Sequence, residues 1–325
     1  MSKRIYLQDV AVRDGFQIEP VFIPTEKKIA LIDALSRTGL AKIEVSSFTS
    51  PKAIPALADA EQVLSGIERV PGVLYTVLVP NMRGAERALG CGVDEFNLVM
   101  SVSETHNLTN LRMTRAQSFA QLQEVIEYAR PSGVALNISL SCSFGCPMEG
   151  AVPRDVVYGW VQRFADLGVN GITLCDTTGM AYPTQVLEMT RAFRERWPGL
   201  GLTLHFHNTR GMGLANALAA IEGGADRFDA SLGGLGGCPY APGATGNVCT
   251  EDLAHMLELM DYDTGVDVAA LVTCARNLPD IVGHDISGQV AKAGLVSDLH
   301  PRPEWFDEAL QHARAREARQ ARMIT

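Results

Sequence analysis

Eight short apolar runs, each followed by a stretch of helical spacing, set the strongest limit on what this chain can fold into. The runs cover residues 5–10, 42–47, 73–79, 95–100, 135–141, 171–176, 202–207 and 227–232. Between them lie segments rich in helix formers, among them Thr25–Thr38, Thr114–Arg130, Pro153–Leu167, Pro183–Arg196 and Gly213–Glu222. Pro153 and Pro183 suit first-turn positions, where a missing N–H costs nothing. Thr25 followed by Lys28 is an imperfect start signal. Eight strand–helix units in about 260 residues predict an α/β fold, a (β/α)8 TIM barrel with additional C-terminal helices. A phased repeat supports it: Leu89-Gly-Cys-Gly-Val-Asp, Leu167-Gly-Val-Asn and Gly223-Gly-Ala-Asp each lead into a strand.

The chain has 325 residues, 46% of them hydrophobic, enough for a single core. We expect one domain, 1–325. Its catalytic barrel spans 1–260, and a helical extension, 261–325, packs on the barrel. Within that extension Glu308–Met323 is Ala/Arg-rich and helical. A net charge of -9 argues against a nucleic acid or a membrane surface as the main partner, while leaving room for a local basic patch that grips an anionic cofactor. The start lacks the apolar stretch of a signal peptide, and no apolar run reaches the roughly 18 residues of a membrane span. Seven scattered cysteines, an odd number, fit a reduced, cytoplasmic protein. Cys142 and Cys146 form a C-x3-C pair without a second pair at metal spacing, so they read as small buried hydrophobes near a strand end rather than a zinc site.

Polar residues gather at the carboxyl ends of the expected strands, the face that carries catalysis in this fold. Arg13 and Asp14 follow the first strand, Glu44, Ser46 and Ser47 end the second, and Asp176 ends the sixth. His205 and His207 end the seventh, and Cys238 and Asn247 follow the eighth. His205-Phe206-His207 has period two, so both imidazoles point to one face of the strand, the barrel interior. With the Asp14 carboxylate and the Asn247 amide oxygen they form a mixed N/O set suited to Mg²⁺ or Mn²⁺, or to Zn²⁺, with positions left open for substrate oxygens. Arg13 is then free to stabilise an oxyanion as it forms. Glu44 reads as a support for Arg13 or a metal-bound water, or as an interior ion pair. Asp176 reads as a base, a ligand support, or a helix cap before Pro183.

Ser231 to Asn247 packs six glycines, two prolines and Cys238 into seventeen residues. Glycine at this density means a loop that moves, turns tightly or brings its backbone against a ligand. A thiol held there can donate a proton as well as attack.

These motifs carry a resemblance. Arg13-Asp-Gly-Phe-Gln, Ile43-Glu-Val-Ser-Ser-Phe, Ser141-Cys-Ser-Phe-Gly-Cys-Pro, Asp176-Thr-Thr-Gly, His205-Phe-His-Asn-Thr-Arg-Gly and the Cys238 loop resemble the 3-hydroxy-3-methylglutaryl-CoA lyases, metal-dependent TIM-barrel lyases. The likeness runs in register from about residue 5 to residue 290. It implies retro-Claisen cleavage of an acyl-CoA to acetyl-CoA and acetoacetate, serving leucine or related branched-acid breakdown, by a homodimer. The metal, on Asp14, His205, His207 and Asn247, would bind the substrate hydroxyl and carboxylate. Arg13 would stabilise the thioester enolate, and Cys238 would deliver its proton. Asp14, or a neighbouring histidine such as His205 with a metal-bound water, would be the base. Gln17, Ser47 and Arg210 would add substrate contacts, and Arg83 is a candidate for the CoA moiety.

The chain also departs from the animal-type pattern. Ile18-Glu19-Pro20 stands where Asn-Glu-Lys is usual, and Asn208-Thr209-Arg210 where Asp-Thr-Tyr is common. Arg210 could hold a second carboxylate, a CoA phosphate or a surface partner. These departures keep open a related substrate such as citramalyl-CoA. Claisen-condensing synthases share the Arg-Asp-Gly and His-x-His motifs, but the Cys238 loop and the short C-terminus speak against them. A non-enzymatic metal- or CoA-binding barrel would need one of these groups to be missing, and none is.

Overall fold

The computed structural model describes residues 3–237 and 246–324. Among them, eight parallel strands pair in sequence order and close into a barrel: β1 (Tyr6–Asp9), β2 (Lys42–Ser47), β3 (Leu74–Leu78), β4 (Glu95–Ser101), β5 (Ala135–Ser141), β6 (Gly171–Asp176), β7 (Gly201–Phe206) and β8 (Arg227–Ala230), with β8 returning to β1. The intervening helices are α1 (Thr25–Ser36), α2 (Ala60–Gly66), α3 (Met82–Gly90), α4 (Glu104–Leu111), α5 (Arg115–Ala129), α6 (Arg154–Asp166), α7 (Pro183–Arg196) and α8 (Gly213–Glu222). After β8 come α9 (Thr250–Leu259), α10 (Val268–Arg276), α11 (Pro279–Val282) and α12 (Gln289–Ala293). The compact barrel unit extends to Ala293, and a second unit follows, containing α13 (Phe306–Ile324). Among the described residues no helix is long and apolar enough to cross a membrane.

β2, β5, β6, α7 and α8 have the limits that alternation and periodicity predict. β1 and β8 are shorter. Val10 already accepts the bonds of the helical turn that follows, and Leu232–Gly234 winds into a 3-10 turn. Helices α2, α3 and α4 are not among the helical segments read from the sequence. Two of them form on side-chain caps, Asn81 accepting from Gly84 N–H and Ser103 from His106 N–H.

The phased repeat has a physical reason. Gly92 and Gly168 adopt left-handed backbone, φ 63° and 72°, which ends the preceding helix without a Cβ clash. The acid or amide two residues on then pins the next strand. Asp94 accepts from Tyr75 N–H at 2.8 Å, and Asn170 accepts from Leu136 N–H at 2.8 Å.

Along each strand, side chains alternate between two environments. The outward set, including Leu7, Ile43, Val45, Phe96, Ile138, Ile172, Leu204 and Phe228, is fully buried against the helices. At about 1.5–3 kcal/mol per buried aliphatic side chain, this layer is the main stabilising core. The inward set is polar: Gln8, Lys42, Glu44, Thr76, Glu95, Asn97, Asn137, Thr173 and Asp229 line the barrel axis around a hole of about 10 Å³. Branched aliphatics usually fill a barrel of this kind. Here the interior is a hydrogen-bonded column instead.

Two buried acids tie the region after β8 to the barrel. Asp9 accepts from Ala11 N–H, Leu232 N–H and Thr250 Oγ1 at 2.9, 2.8 and 2.6 Å. Glu251, at the start of α9, accepts from Gly233 N–H with both oxygens. Burial pushes Asp9 up to about 6 and Glu251 up to about 8. Between pH 4.5 and 8 the folded chain therefore holds a proton on Glu251 that the unfolded chain has released, and this group's contribution to stability falls as pH rises through that window. Glu251→Gln removes the titration. In urea unfolding, the variant's stability relative to the parent is expected to be higher at pH 8.5 than at pH 5; a constant difference would show that Glu251 ionises normally.

Candidate active site

The carboxyl end of β1 runs into a π-helical turn, Ala11–Gly15, in which Gly15 and Phe16 N–H reach back to Val10 and Ala11. Such a turn carries one extra residue and re-aims side chains, a device common at functional sites. Here it turns Arg13 and Asp14 into the barrel mouth, where each is 9% exposed.

Arg13 is held from two sides. Its Nε donates to Glu44 Oε2 at 2.5 Å and its Nη1 to Asp14 Oδ1 at 2.7 Å. Burial works against its charge, but the two carboxylates outweigh it and fix the guanidinium as a cation. Burial raises Glu44, against the pull of Arg13 and an Asn97 N–H. On Asp14 burial is outweighed by Arg13, the two nearby imidazoles and the Asn247 amide, which keep the carboxyl below its usual range.

The Asp14 carboxylate also lies against the two histidines at the end of β7. Ligand atoms of Asp14, His205 and His207 all lie within 4.8 Å of one another, the only such group of three among the described residues. The two Nε2 atoms are 3.2 Å apart. That is close to the spacing of neighbouring ligands on one ion at about 2.1 Å from each. Asn247, bridged to His207 by a short antiparallel pairing, completes the set. Its Nδ2 donates to Asp14 Oδ2 at 2.8 Å and to the Leu235 carbonyl at 2.9 Å, and that carbonyl fixes which way the amide faces. Asn247 Oδ1 and His207 Nδ1 are buried with no partner among the described residues. An orphaned amide oxygen beside a carboxylate and two close imidazoles is a donor set that fits a divalent cation. Burial, and then His205, push His207 down to about 3, so it is neutral and ligand-competent. Burial would also discharge His205, but Asp229, 3.4 Å from Nδ1, raises it above the ordinary value and fixes the ring with Nε2 toward the site.

The other candidates fall in several places. Gln17 Nε2 donates to Asp14 Oδ1 at 3.0 Å and lines the cavity. Ser47 pairs with Thr49 Oγ1 at 2.8 Å. Asp176 Oδ1 accepts from Met180 and Ala181 N–H at 2.6 and 3.0 Å, closing the loop after β6; its Oδ2 is buried without a partner among the described residues, and burial pushes the carboxyl up to about 6. Tyr182 holds the N-cap position of α7 without a side-chain cap bond, so Asp176 closes the preceding loop rather than capping the helix. Arg210 Nη1 donates to the Thr178 and Gly179 carbonyls at 3.2 and 2.7 Å, clasping that same loop. Arg83 is exposed on α3. Cys238 lies outside the described residues. Cys142 and Cys146 are buried, and Cys146 Sγ receives the Ser103 hydroxyl at 3.1 Å.

Three site residues went unread in the sequence. Asp229 pairs in register with His205, and its place two residues after Arg227 on β8 was the available signal. Cys175 lines the cavity beside Asp229, with burial raising its thiol far above the ordinary value. Asn97 braces Glu44 from β4. The cavity measures about 740 Å³, with Arg13, Asp14, His205 and His207 at its polar end and Ile54, Leu78, Val99, Leu111 and Leu122 along an apolar wall.

Residues 4–278 match the family described as HMGL-like. The chain is 45% identical over 281 residues to hydroxymethylglutaryl-CoA lyase YngG of Bacillus subtilis, covering 86% of this chain and 94% of that protein. It is 37% identical over 302 residues to (R)-citramalyl-CoA lyase of Chloroflexus aurantiacus, covering 90% and 95% of the two. Among solved structures it resembles an HMG-CoA lyase from Acenitobacter baumannii in complex with coenzyme A and 3-methylmalate, at 50% identity and a TM-score of 0.89, covering 92% and 98%.

Asp14→Asn and Asn247→Ala are each expected to raise the Mn²⁺ dissociation constant by about tenfold or more, read by electron paramagnetic resonance of free Mn²⁺. An unchanged constant in both would remove them from the ligand set.

Proposed function

The chain belongs to the HMGL-like family, and on that premise we propose that it is a metal-dependent carbon–carbon lyase that splits 3-hydroxy-3-methylglutaryl-CoA into acetyl-CoA and acetoacetate. The observation that carries this reading is Asp14, whose one oxygen holds the Arg13 guanidinium while the other takes the Asn247 amide, with ligand atoms of His205 and His207 within 4.8 Å of its carboxylate. Two cationic positions therefore stand side by side at the polar end of one cavity. A retro-Claisen cleavage needs that pair, because negative charge develops on two oxygens, the C3 hydroxyl and the thioester carbonyl.

A divalent ion, Mg²⁺ or Mn²⁺, bound by Asp14, His205, His207 and Asn247 would acidify the C3 hydroxyl. The hydroxyl proton passes to a base in this cluster, where Asp14 and His205 are the candidates. The C2–C3 bond then breaks, its electron pair moves into the thioester as an enolate, and C3 becomes the ketone of acetoacetate. Arg13, already desolvated and fixed by Glu44, neutralises the enolate oxygen without reorganising. A proton delivered to C2 completes acetyl-CoA, and we assign that delivery to Cys238. Gln17, on Asp14, keeps the carboxylate turned toward both cations.

A second reading has support from the comparisons. The Chloroflexus relative is named for citramalyl-CoA, and the Acenitobacter structure carries 3-methylmalate with coenzyme A. Cleavage of citramalyl-CoA breaks the same bond and releases pyruvate in place of acetoacetate. Turnover of both thioesters with Mg²⁺ or Mn²⁺, following acetyl-CoA and each ketone, separates the two. Acetoacetate release that EDTA abolishes is expected from the hydroxymethylglutaryl thioester. Pyruvate alone would move the substrate to citramalyl-CoA, and no acetyl-CoA from either would reject the lyase reading. Cys238→Ala is expected to cut kcat by about a hundredfold or more with Mn²⁺ still bound.

A further inference from the structure

Glu44 is 2% exposed and fully inside the barrel. It meets the protein through two contacts, one on each oxygen. Oε2 takes Arg13 Nε at 2.5 Å, and Oε1 takes Asn97 Nδ2 at 2.8 Å. The Asn97 amide is itself fixed. Its Oδ1 accepts from Ser139 Oγ at 2.7 Å and from Asn137 Nδ2 at 3.1 Å, and that same Asn137 nitrogen donates to Thr173 Oγ1 at 2.9 Å. A chain of hydrogen bonds thus runs from β6 through β5 and β4 to β2, and ends on the guanidinium that follows β1.

We propose that Asn97 is a positioning residue for Arg13, acting through Glu44. Asn97 lines the interior hole and not the substrate cavity, so it has no contact with the reacting atoms. With both oxygens anchored, the carboxylate presents Oε2 to Nε in one orientation. Without the amide donor, one carboxylate oxygen is left buried and unbonded beside a hole of about 10 Å³, room for one water. The carboxylate then turns to find a donor and Arg13 moves with it. A misplacement on the order of 1 Å at a catalytic group costs about a hundredfold in rate.

The inference rests on the lyase reading, so its test includes a readout that does not need turnover. Asn97→Val removes the donor at nearly constant volume. Asn97→Asp keeps the shape but sets a second carboxylate against Glu44. Both are expected to lose at least about tenfold in kcat, with KM within about threefold and Mn²⁺ stoichiometry unchanged. Combined with Glu44→Gln, Asn97→Val is expected to add no further loss, because the two act as one unit. In parallel, hydrogen exchange of the Arg13 Nε–H, followed by NMR and identified by its absence in Arg13→Lys, is expected to accelerate about tenfold or more in Asn97→Val. A variant kcat within twofold of the parent, losses that multiply in the double variant, or an unchanged Arg13 exchange rate would each overturn the proposal. If the parent itself turns over no acyl-CoA, the lyase reading fails and the exchange rate alone decides this inference.

Discussion

Arg13 is a permanent cation held almost out of water between two carboxylates, and much of the barrel mouth is arranged around that fact. Taking charges out of water costs several kcal/mol per ion unless hydrogen bonds and opposite charges offset it. The fold offsets it with a polar interior. Where a barrel of this kind usually packs valine and isoleucine, this one places Gln8, Lys42, Glu44, Asn97, Asn137 and Thr173. The aliphatic core is correspondingly displaced to the outer face of the strands, against the helices. The rest follows from Asp14, which belongs at once to the guanidinium and to the imidazole pair.

Much of this was legible before any coordinates. Alternation in Ala135-Leu-Asn-Ile-Ser-Leu-Ser and Gly171-Ile-Thr-Leu-Cys-Asp placed β5 and β6 with their limits, because period two is imposed by the pleat itself. The same period placed His205 and His207 on one side. What was not legible depends on partners distant in sequence. The π-helical turn at Ala11–Gly15 has no local signature; it forms where Val10 accepts several amides while Asp9 braces the turn from below. Asn97 reads as an ordinary inward polar residue until Glu44, 53 positions away, is seen on its amide. Asp176 was open among three roles, and its two loop amides became visible only once the turn after β6 was in place.

Stability and function lean on the same segment. Asp9 and Glu251 anchor Leu232 and Gly233, the start of the glycine-rich stretch in which Cys238 lies. Among the described residues neither acid has a basic partner, and both keep a proton more readily than a free carboxyl does. Such groups do little for stability at neutral pH. Their placement makes sense as a firm base for the segment that carries Leu235, whose carbonyl takes the Asn247 amide beside Asp14.

The central claim is that Arg13 stabilises an enolate at a centre that Asp14 shares with the metal. The most direct measurement is proton exchange at the methyl group of acetyl-CoA in D2O, followed by NMR with Mg²⁺ and the product ketone present. The parent protein is expected to exchange those protons, while Arg13→Met, with its Mn²⁺ affinity intact, is expected to exchange them at least about a hundredfold more slowly. Exchange at the parent rate in Arg13→Met would contradict the account, because the enolate would then form without the guanidinium.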